Sequence, residues 1–157
     1  MFPCEIKHFP ARPTLSIRFR APAQDLSKHF GRAYTTILNY VEELGGSCAG
    51  PAFAIYHNLD MQNMDIEAGF PVAHPLPPRS EIRAGEIAGG TFAVCHYTGP
   101  YDQLAPAYDA LSQFAVKQGY QPGNIAYEWY LNGPETPVEE LKTDISFPVT
   151  RLVTEKA

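Results

Sequence analysis

The sequence predicts an α+β domain made of two β-α-β-β units related by pseudo-twofold symmetry, with an antiparallel sheet, helices on one face and a central ligand groove. Two segments show the apolar period of amphipathic helices, and six short runs rich in β-forming residues flank them. The pattern repeats along the chain: Phe70-Pro71-Val72 recurs as Phe147-Pro148-Val149, at an offset of 77. Few helices among many short strands favour an antiparallel sheet over alternating parallel βαβ units.

Both predicted helices have apolar residues at steps of three or four. In the first helix these residues are Leu26, Phe30, Ala33, Ile37, Val41 and Leu44. In the second they are Tyr101, Leu104, Tyr108, Leu111 and Ala115. Asp25 is the predicted N-cap of the first helix, and Gly45 and Gly119 are the predicted stops. Each apolar stripe is expected to face the core.

Strand-like runs precede and follow the two predicted helices at matching places. The matching pairs are 14–20 with 91–97, 52–58 with 126–132, and 65–72 with 143–149. Thr14 matches Thr91 at the same offset of 77, but the offset is 74 across the helices and the next strand, which indicates a short deletion in the second copy. The runs CEIKHF and SEIRAGEI are each expected to add a leading strand to their own copy. The repeats are therefore about 5–76 and about 79–153 within a single domain, 1–157.

Composition narrows the classes of function. The net charge is −5 and there is no basic run, so direct nucleic-acid binding is not expected. MFPCEIKHFP lacks a signal-peptide core and no apolar run approaches membrane-spanning length, so a cytoplasmic protein without membrane contact is expected. Cys4, Cys48 and Cys95 are far apart in the sequence, and the histidines lack ligand spacing. Neither a disulfide framework nor a metal or other cofactor is therefore expected.

One acidic residue departs from its own repeat. When Asn132 is aligned on Asn58, Tyr130 matches Tyr56, Trp129 matches Ile55 and Glu128 matches Ala54, so a strand in this slot does not need an acid. Strand alternation puts Glu128 and Tyr130 on one face. If the other face packs on the helices, this one can line a groove in which a carboxylate among phenols holds a cation or a flat ligand. The alternative is that Glu128 lies on an edge strand in water.

Five segments together resemble a known family: IKHFPARPTLSIRFR, DIEAGFPV, HYTGPYDQL, YEWYLNGP and TDISFPV. They are similar to the GyrI-like small-molecule-binding family, the effector-binding domain of AraC- and MerR-type bacterial transcription regulators, from about Glu5 to Val149. The resemblance implies a duplicated fold in which Glu128 lies at the pocket. It implies walls formed by Tyr130, Tyr56, Trp129 and Tyr101. Trp129 alternates away from Glu128, and Tyr101 has a second reading as a hydrophobic staple at the start of the helix.

The resemblance implies three candidate functions. The first is a stand-alone effector- or drug-binding protein that senses or sequesters amphipathic, often cationic or aromatic compounds; the two repeats occupy the chain, so no DNA-binding domain is expected. The second is a hydrolase of cyclopropanoid or electrophilic genotoxins, in which Glu128 acts on a water and Tyr130 or Tyr56 polarises the leaving group. The third is a protein-interaction role with gyrase or a separate regulator.

Overall fold

The computed structural model describes residues 2–58, 60–133 and 135–152, which form two helices and nine strands in that part of the chain. The helices are α1 (Leu26–Glu43) and α2 (Ala105–Lys117). The strands are β1 (Cys4–Phe9), β2 (Arg12–Ala21), β3 (Ala52–Tyr56), β4 (Met64–Pro71), β5 (Arg83–Ile87), β6 (Gly90–Thr98), β7 (Tyr120–Pro122), β8 (Ala126–Tyr130) and β9 (Lys142–Arg151). The chain divides into two compact units, and the predicted α+β class is confirmed.

The first unit comprises residues 10–89. Its strands pair antiparallel in the order β3-β4-β2-β5, and α1 packs against β2 and β4. Alternate residues of β2, Leu15 and Ile17, join Ile37 and Val41 of the helix in one buried cluster, as the period-2 and period-3.6 patterns predict.

The first helix ends as predicted, but its last apolar residue faces out. Gly45 has φ +70°, and its N–H donates to the carbonyl of Glu42 at 3.0 Å, so the chain turns out of the helix where a residue without Cβ is favoured. Leu44 was expected in the core and is 42% exposed instead. Tyr40 is buried in that turn of the helix, and its O–H donates to the carbonyl of Pro77 at 2.8 Å.

The second unit comprises the described residues up to Phe9 and from Gly90 onward. Its strands pair antiparallel in the order β1-β6-β9-β8, with the short β7 added on the far end of β9. Leu111 and Ala115 of α2 pack with Ile145 and Phe147 of β9. The helix is shorter than predicted, because the residues from Tyr101 form a separate 3-10 turn and α2 begins only at Ala105.

The prediction for the leading strands was wrong. CEIKHF forms β1, which pairs with β6 of the second unit, whereas RAGEI of the other run forms β5, which pairs with β2 of the first unit. Each leading strand thus joins the other copy's sequence. A strand pairs with whichever edge its side chains can help to bury, and closeness in sequence does not decide the partner. The predicted repeat boundaries stay a prediction for the sequence repeat.

Strand registers also correct one offset of the repeat. Thr14 pairs with Pro71 in the first unit and Phe92 pairs with Pro148 in the second, and the two prolines keep the offset of 77. Phe92 is therefore the structural equivalent of Thr14, and the match of Thr14 with Thr91 was wrong by one. A one-residue shift in the alignment of a strand moves every side chain to the other face of the sheet. With the corrected offset, the core-facing Ile17 matches the core-facing Cys95.

The same registers confirm the alignment that singled out Glu128. Ala54 pairs with Ala68, Glu128 pairs with Ile145, and the two partners again keep the offset of 77. The pseudo-twofold relation and the central groove stay predictions. Within the described residues, no helix has the length and apolarity needed to cross a membrane.

Candidate functional site

Glu128 lies in the middle of β8 on the face that carries the helix. Its cross-strand partner is Ile145, which packs in the same buried cluster as α2. Residues directly opposite in an antiparallel pair point to the same face, so Glu128 points towards α2. The condition under which this face was expected to line a groove, that the opposite face packs on the helix, is not met. The exposed-edge alternative was wrong, because Glu128 is only 6% exposed.

Two tyrosine hydroxyls donate hydrogen bonds to the Glu128 carboxylate. The O–H of Tyr130 donates to Oε1 at 2.8 Å, and the O–H of Tyr108 makes a very short hydrogen bond to Oε2. Burying a polar group without hydrogen bonds costs about 2–7 kcal/mol, and burying an unpaired charge costs more. Two hydroxyl partners satisfy the hydrogen-bonding capacity of both carboxyl oxygens. These contacts therefore let an acid occupy a core-facing slot.

Two different elements supply the donors. Tyr130 lies two residues after Glu128 on the same strand, and so it shares the face of the acid. Tyr108 comes from α2, where it occupies the apolar stripe between Leu104 and Leu111. Its ring packs on Phe147 with centroids 6.0 Å apart, while its hydroxyl extends to the strand. One tyrosine thus serves both the core and the acid.

Tyr101 adds a partly exposed ring beside this pair. Its ring meets Tyr130 edge-on, with centroids 5.6 Å apart and an interplanar angle of 68°, and Tyr101 is 45% exposed. Burial and the negative charge of Glu128 both raise the pKa of the Tyr101 hydroxyl. We call Glu128, Tyr108, Tyr130 and Tyr101 the Glu128 cluster. Tyr101 lies in the 3-10 turn before α2, whose N-cap is Leu104. The staple role given as an alternative for Tyr101 stays a prediction.

The TGPY motif holds the turn that presents Tyr101. Tyr97 donates its O–H to the carbonyl of Pro100 at 2.7 Å, and the N–H of Gly99 donates to the carbonyl of Leu141 at 2.8 Å. Gly99 has φ +145°, and a Cβ at this position would lie 2.8 Å from the Tyr97 hydroxyl oxygen. Glycine is therefore required both by the backbone and by the side chain beneath it.

Trp129 and Tyr56 are the other two wall residues that the family resemblance implies. Trp129 pairs with Asp144 on the opposite face of β8 from Glu128, as strand alternation requires, and it is nearly buried there. Tyr56 belongs to the first unit, where it is half-buried at the end of β3 opposite Ile66. A ligand-binding role for either residue stays a prediction.

Tyr108 is the member of the cluster that sequence reasoning missed. It appeared only as one apolar position in a helical stripe, and periodicity does not tell a tyrosine that packs from one whose hydroxyl reaches an acid. Its repeat equivalent Tyr34, at the offset of 74, offered a signal, because both helices keep a tyrosine where the other stripe positions are mostly aliphatic. Within the described residues, no group of three or more His, Cys, Asp or Glu side chains is arranged to hold a metal ion.

The sequence model of the GyrI-like small molecule binding domain matches residues 2–150. The chain belongs to the GyrI-like family. This confirms the resemblance, which rested mainly on TGPY and on the strand that contains Glu128. A search of curated proteins gave no match.

Two solved structures of EcmrR, one of them in a complex with DNA, are similar to this GyrI-like chain. The C-terminal domain of EcmrR is 25% identical, with a TM-score of 0.82, and the match covers 97% of this chain and 99% of that domain. EcmrR in an EcmrR–DNA complex is 27% identical, with a TM-score of 0.80 and 97% of this chain covered. The GyrI-like chain spans 58% of that EcmrR chain.

More distant structures share the fold alone. A hydrolase from Listeria innocua is 13% identical, with a TM-score of 0.69, and the match covers 94% of this chain and 91% of that one. SAV2435, solved bound to tetraphenylphosphonium, is 12% identical, with a TM-score of 0.65 and 94% of each chain covered.

Proposed function

We propose that this GyrI-like chain binds amphipathic small molecules, cationic or aromatic, at the Glu128 cluster, and so senses or sequesters them. One observation supports this site above others. Both oxygens of a buried carboxylate accept phenolic hydroxyls, and a third tyrosine ring stands half-exposed at its edge. A protein that needed only packing here would use an apolar residue, as the first unit does with Ala54.

The chemistry of the cluster favours a soft, delocalised cation. A carboxylate withdrawn from water attracts a cation more strongly than an exposed one, because the local dielectric constant is lower. The faces of tyrosine rings attract cations by about 0.5–2 kcal/mol each, depending on desolvation. A lipophilic cation gives up little hydration on entering such a site, whereas a compact ammonium ion gives up much more. Tyr101 and Tyr130, whose rings meet at 68°, offer two differently oriented walls.

The relatives agree with this proposal. SAV2435 has the same fold and was solved with tetraphenylphosphonium, a lipophilic cation of the kind that the cluster suits. EcmrR was solved with DNA, and its C-terminal domain matches nearly all of this chain. We therefore take effector sensing in transcription regulation as the biological setting of the binding. We define the effector by its chemical class only: a cation with bulky aromatic or aliphatic groups.

Charge-matched probes test the proposal directly. Tetraphenylphosphonium and tetraphenylborate have nearly the same size and shape and opposite charge, and calorimetry would measure both against wild type and Glu128→Gln. We expect wild type to prefer the cation at least tenfold, about 1.4 kcal/mol, and the glutamine variant to lose most of that preference. Glu67→Gln, an acid of the first unit, is the matched control and should keep it. Equal binding of both probes by wild type would overturn the proposal.

Hydrolysis is a second candidate, which the acid–phenol pairing favours. The 2.8 Å hydrogen bond joins Tyr130 to Glu128, so a carboxylate and a weak acid already stand within proton-transfer distance. In this reaction a water attacks the strained or electrophilic carbon of the ligand, Glu128 accepts the proton of that water, and Tyr130 donates a proton to the group that departs. A hydrolase from Listeria innocua has the same fold.

The hydrolase candidate has its own test. The protein would be incubated with a cyclopropane-bearing alkylating agent, and the water-added, ring-opened product would be followed by liquid chromatography and mass spectrometry. Wild type should form product faster than buffer, Glu128→Gln should fall to the buffer rate, and Tyr130→Phe should lie between them. If wild type binds the agent and leaves it intact over hours, the protein is a binder and the hydrolase candidate fails.

A further inference from the structure

Two of the three cysteines, distant in sequence, face each other across neighbouring strands. Cys4 of β1 is the direct cross-strand partner of Cys95 of β6. The next pair along, Pro3 and His96, is hydrogen-bonded, with the N–H of His96 donating to the carbonyl of Pro3 at 2.9 Å. Hydrogen-bonded and non-hydrogen-bonded pairs alternate along an antiparallel ladder, so Cys4 and Cys95 occupy a non-hydrogen-bonded pair. Such pairs bring their Cα atoms to about 4.5 Å, within the range that a disulfide spans.

The two thiols share one environment. Cys95 is fully buried in the cluster beneath α2, and Cys4 packs against the same cluster while staying partly accessible. The Cys4 thiol is hydrogen-bonded to the carbonyl of Phe2 at 3.3 Å. Burial, together with direct interaction with Cys4, raises the pKa of Cys95 to about 12. The side chains therefore meet on the same side of the sheet, and neither must turn from the opposite face to reach the other.

We propose that Cys4 and Cys95 form an intramolecular disulfide when the protein meets a peroxide, which makes this pair an oxidative modification site that fastens β1 to β6. The half-accessible Cys4 reacts first: its sulfur takes one oxygen from the peroxide and becomes a sulfenic acid, and one water leaves. Cys95 sulfur then attacks Cys4 sulfur, the S–O bond breaks, and a second water leaves. Two thiols lose two electrons and two protons, and one hydrogen peroxide is reduced to two waters.

The environment of the two thiols sets the rates at which the disulfide forms and is reduced. Cys95 holds its proton strongly, so attack on the sulfenic acid is slow and the bridge forms under sustained oxidation. Once formed, the bridge resists reductants. An incoming thiol reaches only the Cys4 sulfur, and it must then expel the thiolate of Cys95, a poor leaving group. The pair is thus suited to a long-lived fastening and poorly suited to a rapid redox cycle.

The bridge would constrain a large part of the chain. The loop that it closes, from Cys4 to Cys95, includes all of the first unit in sequence. Linking across a loop of this length removes much of the freedom of the unfolded chain. The oxidised protein is therefore expected to melt about 5–10 °C higher than the reduced protein.

Mass spectrometry after peroxide treatment tests the proposal, with wild type, Cys4→Ser and Cys48→Ser compared. Cys48 is the matched control because it is also half-buried, and burial raises its pKa too. Wild type and Cys48→Ser should lose about 2 Da, yield one Cys4–Cys95 linked peptide without reductant, and melt at a higher temperature. Cys4→Ser, altered at a partly exposed position, should fold and do none of these.

Three results would overturn the proposal. They are a bridge that contains Cys48, cross-linked dimers in place of an internal bridge, and conversion of Cys4 to a sulfinic acid while Cys95 stays a free thiol. If Cys4→Ser fails to fold, the linked-peptide assignment in wild type and Cys48→Ser decides the question without it.

Discussion

In the first unit the O–H of Tyr34 donates to the backbone carbonyl of Phe53 at 2.7 Å, whereas in the second unit the equivalent Tyr108 donates to the carboxylate of Glu128. The strand position beside each tyrosine is filled by Ala54 in one unit and Glu128 in the other, and both are buried. The helix, the strand and the tyrosine are thus shared. The two units differ in the acceptor of the tyrosine hydroxyl, which is a main-chain carbonyl in the first unit and a glutamate side chain in the second.

The two units accommodate an alanine and a glutamate at equivalent strand positions with the same packing around the tyrosine. The tyrosine ring packs on an equivalent phenylalanine in both units: Tyr34 on Phe70 and Tyr108 on Phe147. Replacing a methyl group by a carboxylate requires hydrogen-bond donors, and the helix already offered one. Tyr130 supplies another. The second unit therefore keeps the packing of the first and has a carboxyl group where the first has a methyl group.

The largest effect should come from forcing the acid into the first unit. Ala54→Glu buries a carboxylate in a slot that is fully enclosed, beside a tyrosine hydroxyl already donated to Phe53. We expect the free energy of unfolding to fall by about 3 kcal/mol or more, measured by urea denaturation. Ala54→Gln has nearly the same volume without the charge and should fall less. Equal losses for the two variants would mean that volume alone decides, and the comparison of the two slots would lose its electrostatic basis.

The next largest effect should come from removing the tyrosine hydroxyls, and its size should differ between the two units. Tyr108→Phe deletes a hydrogen bond to a charged group, and the expected loss of unfolding free energy is about 1.5–3 kcal/mol. Tyr34→Phe deletes a bond to a neutral carbonyl and should cost about 1 kcal/mol. Only the first variant should also weaken tetraphenylphosphonium binding. If both variants weaken binding alike, the hydroxyl of Tyr108 has no special role.

The turn that presents Tyr101 offers a third test, with a control inside the same unit. Gly99 and Gly90 both have φ +145°, but a Cβ at Gly99 would press on the Tyr97 hydroxyl, whereas one at Gly90 would meet nothing within 4 Å. Gly99→Ala should cost about 1–2 kcal/mol and weaken cation binding by displacing Tyr101. Gly90→Ala should show the backbone strain alone and bind normally. Normal binding by Gly99→Ala would remove Tyr101 from the site.

The smallest expected effect concerns a second pair of equivalent positions, Arg18 and His96. Arg18 holds Asp65 through two hydrogen bonds of 2.8 and 2.7 Å and keeps its charge at every working pH. His96 lies between Glu5 at 2.5 Å and Asp144 at 2.8 Å; the hydrogen bond to Glu5 is the main cause that raises the pKa of His96, and the bond to Asp144 adds to it.

The raised pKa of His96 in the folded state fixes the direction in which stability changes with pH. The stabilisation from His96 is fully present below its unfolded pKa, near 6.5, and is lost as the pH rises through the higher folded value. Solvent screening at this half-exposed site limits the effect to about 0.5 kcal/mol. Denaturation at pH 6 and pH 8.5 should show wild type weakening with rising pH, and His96→Gln should flatten that change. If the stability of His96→Gln changes with pH as much as that of wild type, other groups cause the change.

Sequence reasoning succeeded where the signal was local. The first helix with its stop at Gly45 and the six core strands followed from periodicity and turn residues. The interest in Glu128 followed from its comparison with Ala54. It failed where long-range pairing decides. The partner of β1 is β6, which lies beyond the whole first unit in sequence, and nothing in CEIKHF specifies that edge. Opposed cysteines could not be foreseen without this pairing.

Other failures came from treating a residue by its type. Matching Thr14 with Thr91 used an identity and ignored which neighbours face the core, and the registers shift the match to Phe92. Tyr108 was read as an apolar stripe residue, although its hydroxyl is what reaches Glu128. Trp129 lies on the other face of β8 from Glu128, as strand alternation predicts, and its role as a wall residue stays a prediction. Protein partners such as gyrase stay a prediction.

Tyrosine-selective NMR tests the central claim most directly. The protein contains nine tyrosines, and ring labelling with 13C, assigned by single Tyr→Phe variants, reports each one during a titration with tetraphenylphosphonium. We predict that the resonances of Tyr101, Tyr108 and Tyr130 move and saturate together, while those of Tyr34 stay in place. Movement of Tyr34 with the resonances of the Glu128 cluster unchanged would contradict the proposed ligand site at the Glu128 cluster.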